Sequence, residues 1–411
     1  MKPKKVLFVI NTLGKAGAEV ALMELLRRLL SIQNQREDCQ LCLDLYVLTA
    51  QGELQGELPE EVALLNREYS TVPVLSAEGR KHLRGKVISA SFHHGAIIKN
   101  LPGLLSNGFR MLKKGKVQTD KLLWRVLSDG ADFFSEEYDL AVSFLEGGSA
   151  YYVTDHVKAR RKAAFIHVDY QQAGYTRALD HDCYLRFDRI FTVSREVLEA
   201  FLEVYPECRE KTMVFHNLLD EKRIHDLACL PGGFSDEYDG VRILTVGRLV
   251  YQKGYDVAIQ AMKLLKEAGV RARWYVLGEG EQRKELEAQI EREGLQQDFL
   301  LCGAVETPYP YYAQADVYAH FTRFEGKSIA VQEAQILGKP IAASDCSGNR
   351  EQIQSGVDGL LCDFTPEAMK EALCFLIGHP QEARVFGQRA RMRQQDYEGD
   401  IQLLLELLYV G

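Results

Sequence analysis

The chain has 411 residues, too many for one typical core, so two or three domains are expected. Its 46% hydrophobic and 26% charged residues are those of an ordinary globular protein. No stretch approaches the roughly 18 apolar residues that span a bilayer, and the formal net charge is −8.

The start, Met1 to Lys5, is basic, but the apolar run at 6–10 is only a strand's length and meets Asn11 and Gly14. It is expected to be a buried first strand and not a secretion signal. Nine cysteines are scattered along the chain, an odd number. Cys39 and Cys42 have C-x-x-C spacing, yet no second pair completes a zinc site, and both lie in a strand-like run. Reduced cysteines point to the cytoplasm.

Apolar strands then alternate with helical periodicity. Strands are expected at 6–10, 43–48, 140–144, 163–166, 189–193 and 213–215, with helices at 18–30 and 195–204. The segment 218–240, with Pro231-Gly232-Gly233 and a run of acids, breaks the rhythm. The alternation restarts with strands at 242–246, 273–277, 299–302, 317–319 and 340–343. This order predicts an α/β protein of two Rossmann-like, doubly wound domains, 1–220 and 238–395, joined by a linker at 221–237 and facing a cleft. The last stretch, 396–411, is an apolar helix candidate that crosses back to the first domain.

The densest chemistry lies at 324–340. Gly326 gives a bend, Ser328 is a good N-cap, and a helix at 329–337 is stopped by Gly338 and Pro340. The amides of Lys327, Ser328, Ile329 and the next two residues are then the orphan donors of a helix start, which attract phosphate. Glu333 lies one turn inside, under Ile329, and Glu325 stands on the other side of that anion. Upstream, Gly247, Arg248 and Lys253 follow a strand and a turn. An Arg fork and a Lys point charge are a usual pair for a diphosphate, though a solvated loop would look similar.

The stretch from Glu325 to Glu333 resembles the carboxylate-x7-carboxylate signature of the retaining glycosyltransferases of family four, which have the two-Rossmann GT-B fold. Gly247-Arg248 to Lys253-Gly254 is similar to that family's G-R-x-x-x-x-K-G segment, and Gly278-Glu279-Gly280 to its G-x-G loop. Ala315-Asp316 and Gly356 to Leu361 fall in the same order. The N-terminal half matches more weakly: Asn11 to Glu19, with Gly14 and Gly17, resembles the glycine-rich first loop, but Ala16 stands where a glycine pair is usual. The run Ala164 to Tyr170, with His167 at its strand end, resembles the strand-end histidine of capsular and cell-wall polysaccharide members. Lys327-Ser328 replaces the Phe-Pro of many members and looks like the subgroup acting on surface-polysaccharide precursors.

The resemblance implies a hexosyltransferase moving a sugar from a nucleoside diphosphate donor, a UDP-sugar, to a hydroxyl of a glycan or lipid-linked precursor, with retention of configuration. Arg248 and Lys253 would neutralise the donor diphosphate, Glu333 would hold the ribose, and Glu325 would stand near the donor sugar. His167 is a catalytic or sugar-contacting candidate, Glu146 an acceptor-side one, and Gly278 and Gly280 would lie near the nucleotide. No resident cofactor and no metal are implied, because cations and amides already face the leaving group. The rivals are a sugar-nucleotide epimerase of the same fold and a degenerate partner subunit that only binds nucleotide.

One segment runs against the acidic whole. Residues 80–125 hold eleven Lys or Arg and one acid, Asp120, interleaved with apolar residues. Such a stretch suits an anionic membrane surface, giving a peripheral location at its inner face, or else a solvated helical face. Nucleic acid is disfavoured, since no aromatic stacking array accompanies the charge.

Overall fold

The structure is a computed structural model that describes residues 3–35, 40–74, 76–113, 119–393 and 397–409. Two compact units result: one takes the chain up to Leu219 together with its C-terminal helix, and the other begins at Asp220.

The first unit is built on a parallel sheet of seven strands: β1 (Lys4–Ile10), β2 (Leu41–Val47), β3 (Val62–Leu64), β4 (Glu137–Ser143), β5 (Lys158–Ile166), β6 (Arg189–Thr192) and β7 (Thr212–Val214). Their order is β3-β2-β1-β4-β5-β6-β7. Runs such as Val6 to Ile10 are buried throughout, as strands covered on both faces must be. The covering helices are α1 (Gly17–Gln35), α2 (Ala77–Phe92), α3 (Ala96–Lys113), α4 (Thr119–Asp129), α5 (Gly148–His156), α6 (Arg177–Asp180) and α7 (Arg195–Val204). In α1 the buried Leu22, Leu25, Leu26 and Leu29 recur at helical spacing and seat it on the sheet. Ser194 starts α7 by accepting a hydrogen bond from the Val197 amide.

The second unit repeats the plan with six parallel strands: β8 (Val241–Val246), β9 (Ala272–Leu277), β10 (Phe299–Gly303), β11 (Val317–His320), β12 (Ile341–Ser344) and β13 (Leu360–Cys362), ordered β10-β9-β8-β11-β12-β13. Its helices are α8 (Glu221–Ala228), α9 (Tyr255–Glu267), α10 (Arg283–Arg292), α11 (Tyr309–Gln314), α12 (Ile329–Ile336), α13 (Ser347–Gln352), α14 (Pro366–Gly378) and α15 (Pro380–Arg391). Trp274 is fully buried in this core and donates its indole N–H to the Thr245 hydroxyl at 2.9 Å.

Two local expectations need correction. Residues 221–237 are not a free linker: they open with α8, capped by Asp220, and the Phe234 ring packs at a tilt against Tyr275 with ring centroids 4.3 Å apart. Their acids and glycines masked an amphipathic turn. The strands β3 and β13, of three residues each, have no counterpart among the expected strands, although the equally short β7 does. Of the C-x-x-C pair, Cys42 lies in β2 as a free thiol, and Cys39 lies outside the described residues.

The chain's last helix, α16 (Tyr397–Tyr409), belongs to the first unit. Arg28 pairs with Glu398. The buried Asp400 accepts from the His216 amide at 2.9 Å and lies 2.8 Å from its ring Nδ1. Replacing Asp400 with Ala leaves that part-buried amide without its acceptor, which costs about 1–3 kcal/mol. Urea unfolding of Asp400→Ala is expected to show this loss, and an unchanged midpoint would mean that α16 is not anchored here.

Candidate functional site

In each sheet the strand order reverses at one point, between β1 and β4 in the first unit and between β8 and β11 in the second. Loops leaving the carboxyl ends of two such strands run to opposite faces, and ligands of open α/β sheets bind in the opening they leave. Asn11 to Gly17 follow β1, and Glu146 follows β4. Gly247 to Lys253 follow β8, and Glu325 to Ile329 follow β11.

In the second unit Lys253 and Glu325 meet. Lys253 Nζ forms a close ion pair with Glu325 Oε2, both side chains being mostly buried. His320 Nε2, from the last residue of β11, lies 3.3 Å from the same oxygen, and its Nδ1 lies 3.3 Å from the Tyr318 hydroxyl. Burial alone would raise the Glu325 pKa, yet the Lys253 charge and His320 hold it well below the usual carboxylate range. His320 is pushed down by burial and by the Lys253 charge, so it is neutral near pH 7. Gln252 ties the two loops, donating to the Phe324 carbonyl at 2.9 Å while its own carbonyl accepts from the Thr322 hydroxyl at 2.8 Å. The Arg248 side chain is exposed and makes no hydrogen bond or ion pair among the described residues, while its backbone carbonyl accepts from the Val250 amide at 2.9 Å.

The helix start differs from expectation in one respect. Ser328 occupies the cap position of α12, but its hydroxyl caps nothing. Its amide donates to Gln352 Oε1 at 2.7 Å and its carbonyl accepts from Gln352 Nε2 at 2.8 Å, so this amide is not an orphan donor. A side chain from α13 has taken over, which no local pattern around Ser328 announces. Those of Ile329, Ala330 and Val331 remain uncommitted among the described residues. Lys327 is buried beside them.

Glu333 is buried in α12 and accepts hydroxyl protons from Tyr309 and Tyr312, each at 3.1 Å. Burial raises its pKa to about 7, against the lowering effect of the two tyrosines. The glycines have a packing task of their own. A Cβ on Gly278 would fall 2.0 Å from the Gly247 carbonyl oxygen, and one on Gly280 2.2 Å from that of Leu249. The close approach is between two backbone loops, and it fixes the strand-end loop carrying Arg248.

In the first unit Asn11 joins the other pair of loops, donating to the Glu146 carbonyl at 3.1 Å and accepting from the Ser149 amide at 2.8 Å. Glu146, buried and with its pKa raised by that burial, accepts from the His167 amide at 3.1 Å. His167 has its Nε2 buried without a partner, and burial lowers its pKa to about 4. Gly14 sits against Val74, and Lys15 beside it donates its amide to Glu53 at 3.2 Å. Gly17 begins α1. The structure thus gathers Glu146 and His167 at one reversal point, and Lys253, Glu325 and Glu333 around the other. The sequence contains one D-x-D spacing, Asp180-His181-Asp182. Asp180 is fully buried and accepts from the hydroxyls of Tyr151, Tyr170 and Tyr205, while Asp182 pairs with Arg177.

His320, Gln352, Tyr309 and Tyr312 escaped the sequence reading. His320, the last residue of β11, carries the same strand-end signal as His167, which follows β5. The other three act from elements distant in sequence. Gln332 in α12 also leaves both amide atoms buried without a partner, a state that calls for an explanation such as a ligand.

Two solved structures superpose on nearly the whole chain. HepE of Anabaena, crystallised with UDP and glucose, covers 99% of this chain and 100% of its own with TM-score 0.67 at 17% identity. Sucrose-phosphate synthase from Thermosynechococcus elongatus covers 99% and 100% with TM-score 0.68 at 15% identity. The fold is GT-B. Residues 237–393 match the family model described as glycosyl transferases group 1. A Campylobacter jejuni protein, the N-acetylgalactosamine-N,N'-diacetylbacillosaminyl-diphospho-undecaprenol 4-alpha-N-acetylgalactosaminyltransferase, is 27% identical over 217 residues. That alignment takes in 52% of this chain and 58% of the relative, so little more than half of the relative's length is spanned.

The Glu333 pKa of about 7 has a signed consequence. The native carboxyl holds a proton that the unfolded one, near 4.5, has released, so this group's contribution to stability falls as pH rises from about 4.5 to 7. Glu333→Gln removes that dependence. Between pH 5 and 8 the variant is expected to lose less stability than the wild type in urea titrations, by roughly 2–3 kcal/mol. Parallel curves would show that Glu333 is not held protonated.

Proposed function

We propose that this chain is a retaining family-four glycosyltransferase that moves a sugar from a nucleoside diphosphate sugar, UDP-linked, to a hydroxyl of a glycan or lipid-linked precursor. The single observation that carries this reading is the second unit's cluster. Buried Lys253 and Glu325 lie beside the uncommitted amides of Ile329 to Val331, with an unpaired Arg248 on the neighbouring loop. The C-terminal family match supports it, as do the UDP and glucose with which HepE was crystallised. The diphospho-undecaprenol in the Campylobacter relative's name supports a lipid-linked acceptor.

Breaking the bond between the anomeric carbon and the donor's phosphate oxygen leaves an oxocarbenium-like sugar and sends negative charge onto the diphosphate. Arg248, Lys253 and the α12 amides receive that charge, without need of a metal. Lys253 is shared between the diphosphate and Glu325, so the carboxylate stays ionised and directed at the sugar. Glu333 takes the ribose hydroxyls on the lone pairs its tyrosines leave open. His167 and Glu146 serve the acceptor side, where a neutral imidazole with a free Nε2 can meet a sugar hydroxyl. The enzyme works at the inner face of a membrane, with the basic segment towards the lipid.

Each of Arg248→Ala and Lys253→Ala removes a charge-assisted contact worth about 1.5–3 kcal/mol. UDP affinity by calorimetry is expected to drop roughly tenfold or more in each. Unchanged affinity in both would reject this donor site. Sugar transfer is expected to persist in excess EDTA; its loss, with recovery on adding magnesium or manganese, would overturn the metal-free account of the leaving group.

A further inference from the structure

The helix α3 is inside out. A helix on the surface of a globular unit normally turns its apolar stripe inward. Here Asn100 and Asn107 face inward and are buried, Asn100 donating to Asp129 at 2.7 Å. The outward side carries Ile98, Leu101, Leu105, Phe109 and Leu112, a ladder at spacings of three and four. Their exposures are 77, 49, 67, 60 and 66%. Ile88 and Phe92, at the end of α2, are 62 and 79% exposed and extend the apolar surface to the preceding helix. Contiguous apolar surface of this kind marks a contact with lipid or protein.

The charge around the ladder selects between them. Residues 80–113 contain seven Lys or Arg and no Asp or Glu. Arg80, Lys81, Arg84, Arg110 and Lys113 are exposed. A twofold contact with a second copy would set these five exposed cations against five more, which is unfavourable. An anionic bilayer accepts both features at once, headgroups for the cations and acyl chains for the ladder.

We infer that α3 lies in the plane of an anionic membrane and inserts the ladder from Ile98 to Leu112 below the headgroups, with the exposed cations of α2 at headgroup level. This rests on the functional reading only for the place of work; the surface stands whether or not the second unit binds a nucleotide. Apolar insertion is not screened by salt, whereas the cations' attraction is. Attachment therefore has two separable parts.

The full chain is sedimented with vesicles of phosphatidylcholine alone or with added phosphatidylglycerol. Wild type is expected to bind the anionic vesicles about tenfold or more tightly and to stay partly bound at about 0.5 M NaCl, where the Debye length is about 4 Å. The double variant Leu105→Ser, Phe109→Ser is expected to lose about tenfold in affinity and to release fully at that salt, with UDP affinity in solution unchanged. Arg80→Gln, Lys81→Gln, Arg84→Gln is expected to abolish the preference for anionic lipid. As a measurement independent of the serine variant's folding, a tryptophan placed by Leu105→Trp is expected to be quenched by lipids brominated on their acyl chains, beyond the signal of the two native tryptophans. The inference is overturned by wild type that does not sediment, by serine variants that bind as wild type does, by an unquenched tryptophan, or by a ladder whose loss only dissolves a dimer. Absence of UDP binding by wild type would sink the donor-site reading and leave the vesicle results to decide this one.

Discussion

A single buried carboxylate organises the second unit's site. Glu325 leaves the carboxyl end of β11, Lys253 arrives from the loop after β8, and His320 closes the strand beneath them. Two opposite charges taken out of water are each costly, and removing either partner of such a pair leaves the other stranded, at about 3–5 kcal/mol. The pair therefore fixes the separation of the two loops at the point where the sheet reverses. A neutral His320, already bonded towards Tyr318, adds direction without adding charge.

Backbone contacts make that placement rigid. Gly254 has φ of +61°, and a Cβ there would meet the Phe364 ring at 2.5 Å. Gly278 and Gly280 press against Gly247 and Leu249 in the same way. Side chains with loosely held loops would let Arg248 and the α12 amides drift apart; preorganised donors act on developing charge because they need not move to meet it.

The first unit is buttressed differently. Asp180 takes three tyrosine hydroxyls in a fully buried knot, and Asp129 takes Lys99, Asn100 and His156 beneath α3. The second knot explains how α3 can be inverted: its inner face is held by polar bonds, which frees the apolar residues to face outward. The same segment that looks like a solvated basic helix in composition is a surface with a definite polarity.

The alternation of strands and helices, the two-unit plan and the positions of Arg248, Lys253, Glu325 and Glu333 were legible in the sequence. Each depends on local period or on residues close together in the chain, and periods of two and 3.6 residues survive in a single sequence. What escaped has the opposite character. Gln352 reaches Ser328 across 24 positions, Tyr309 reaches Glu333 across another 24, and Gly278 needs its lack of a side chain because of Gly247, which lies on a different strand's loop. The outward direction of the α3 ladder was equally hidden, because a stripe at helical spacing reads the same whether it faces a core or a membrane. Local pattern determined which elements form and which residues leave their ends; only tertiary packing decided which of those residues meet and which face of α3 looks outward, because those outcomes rest on contacts between segments that no short window contains.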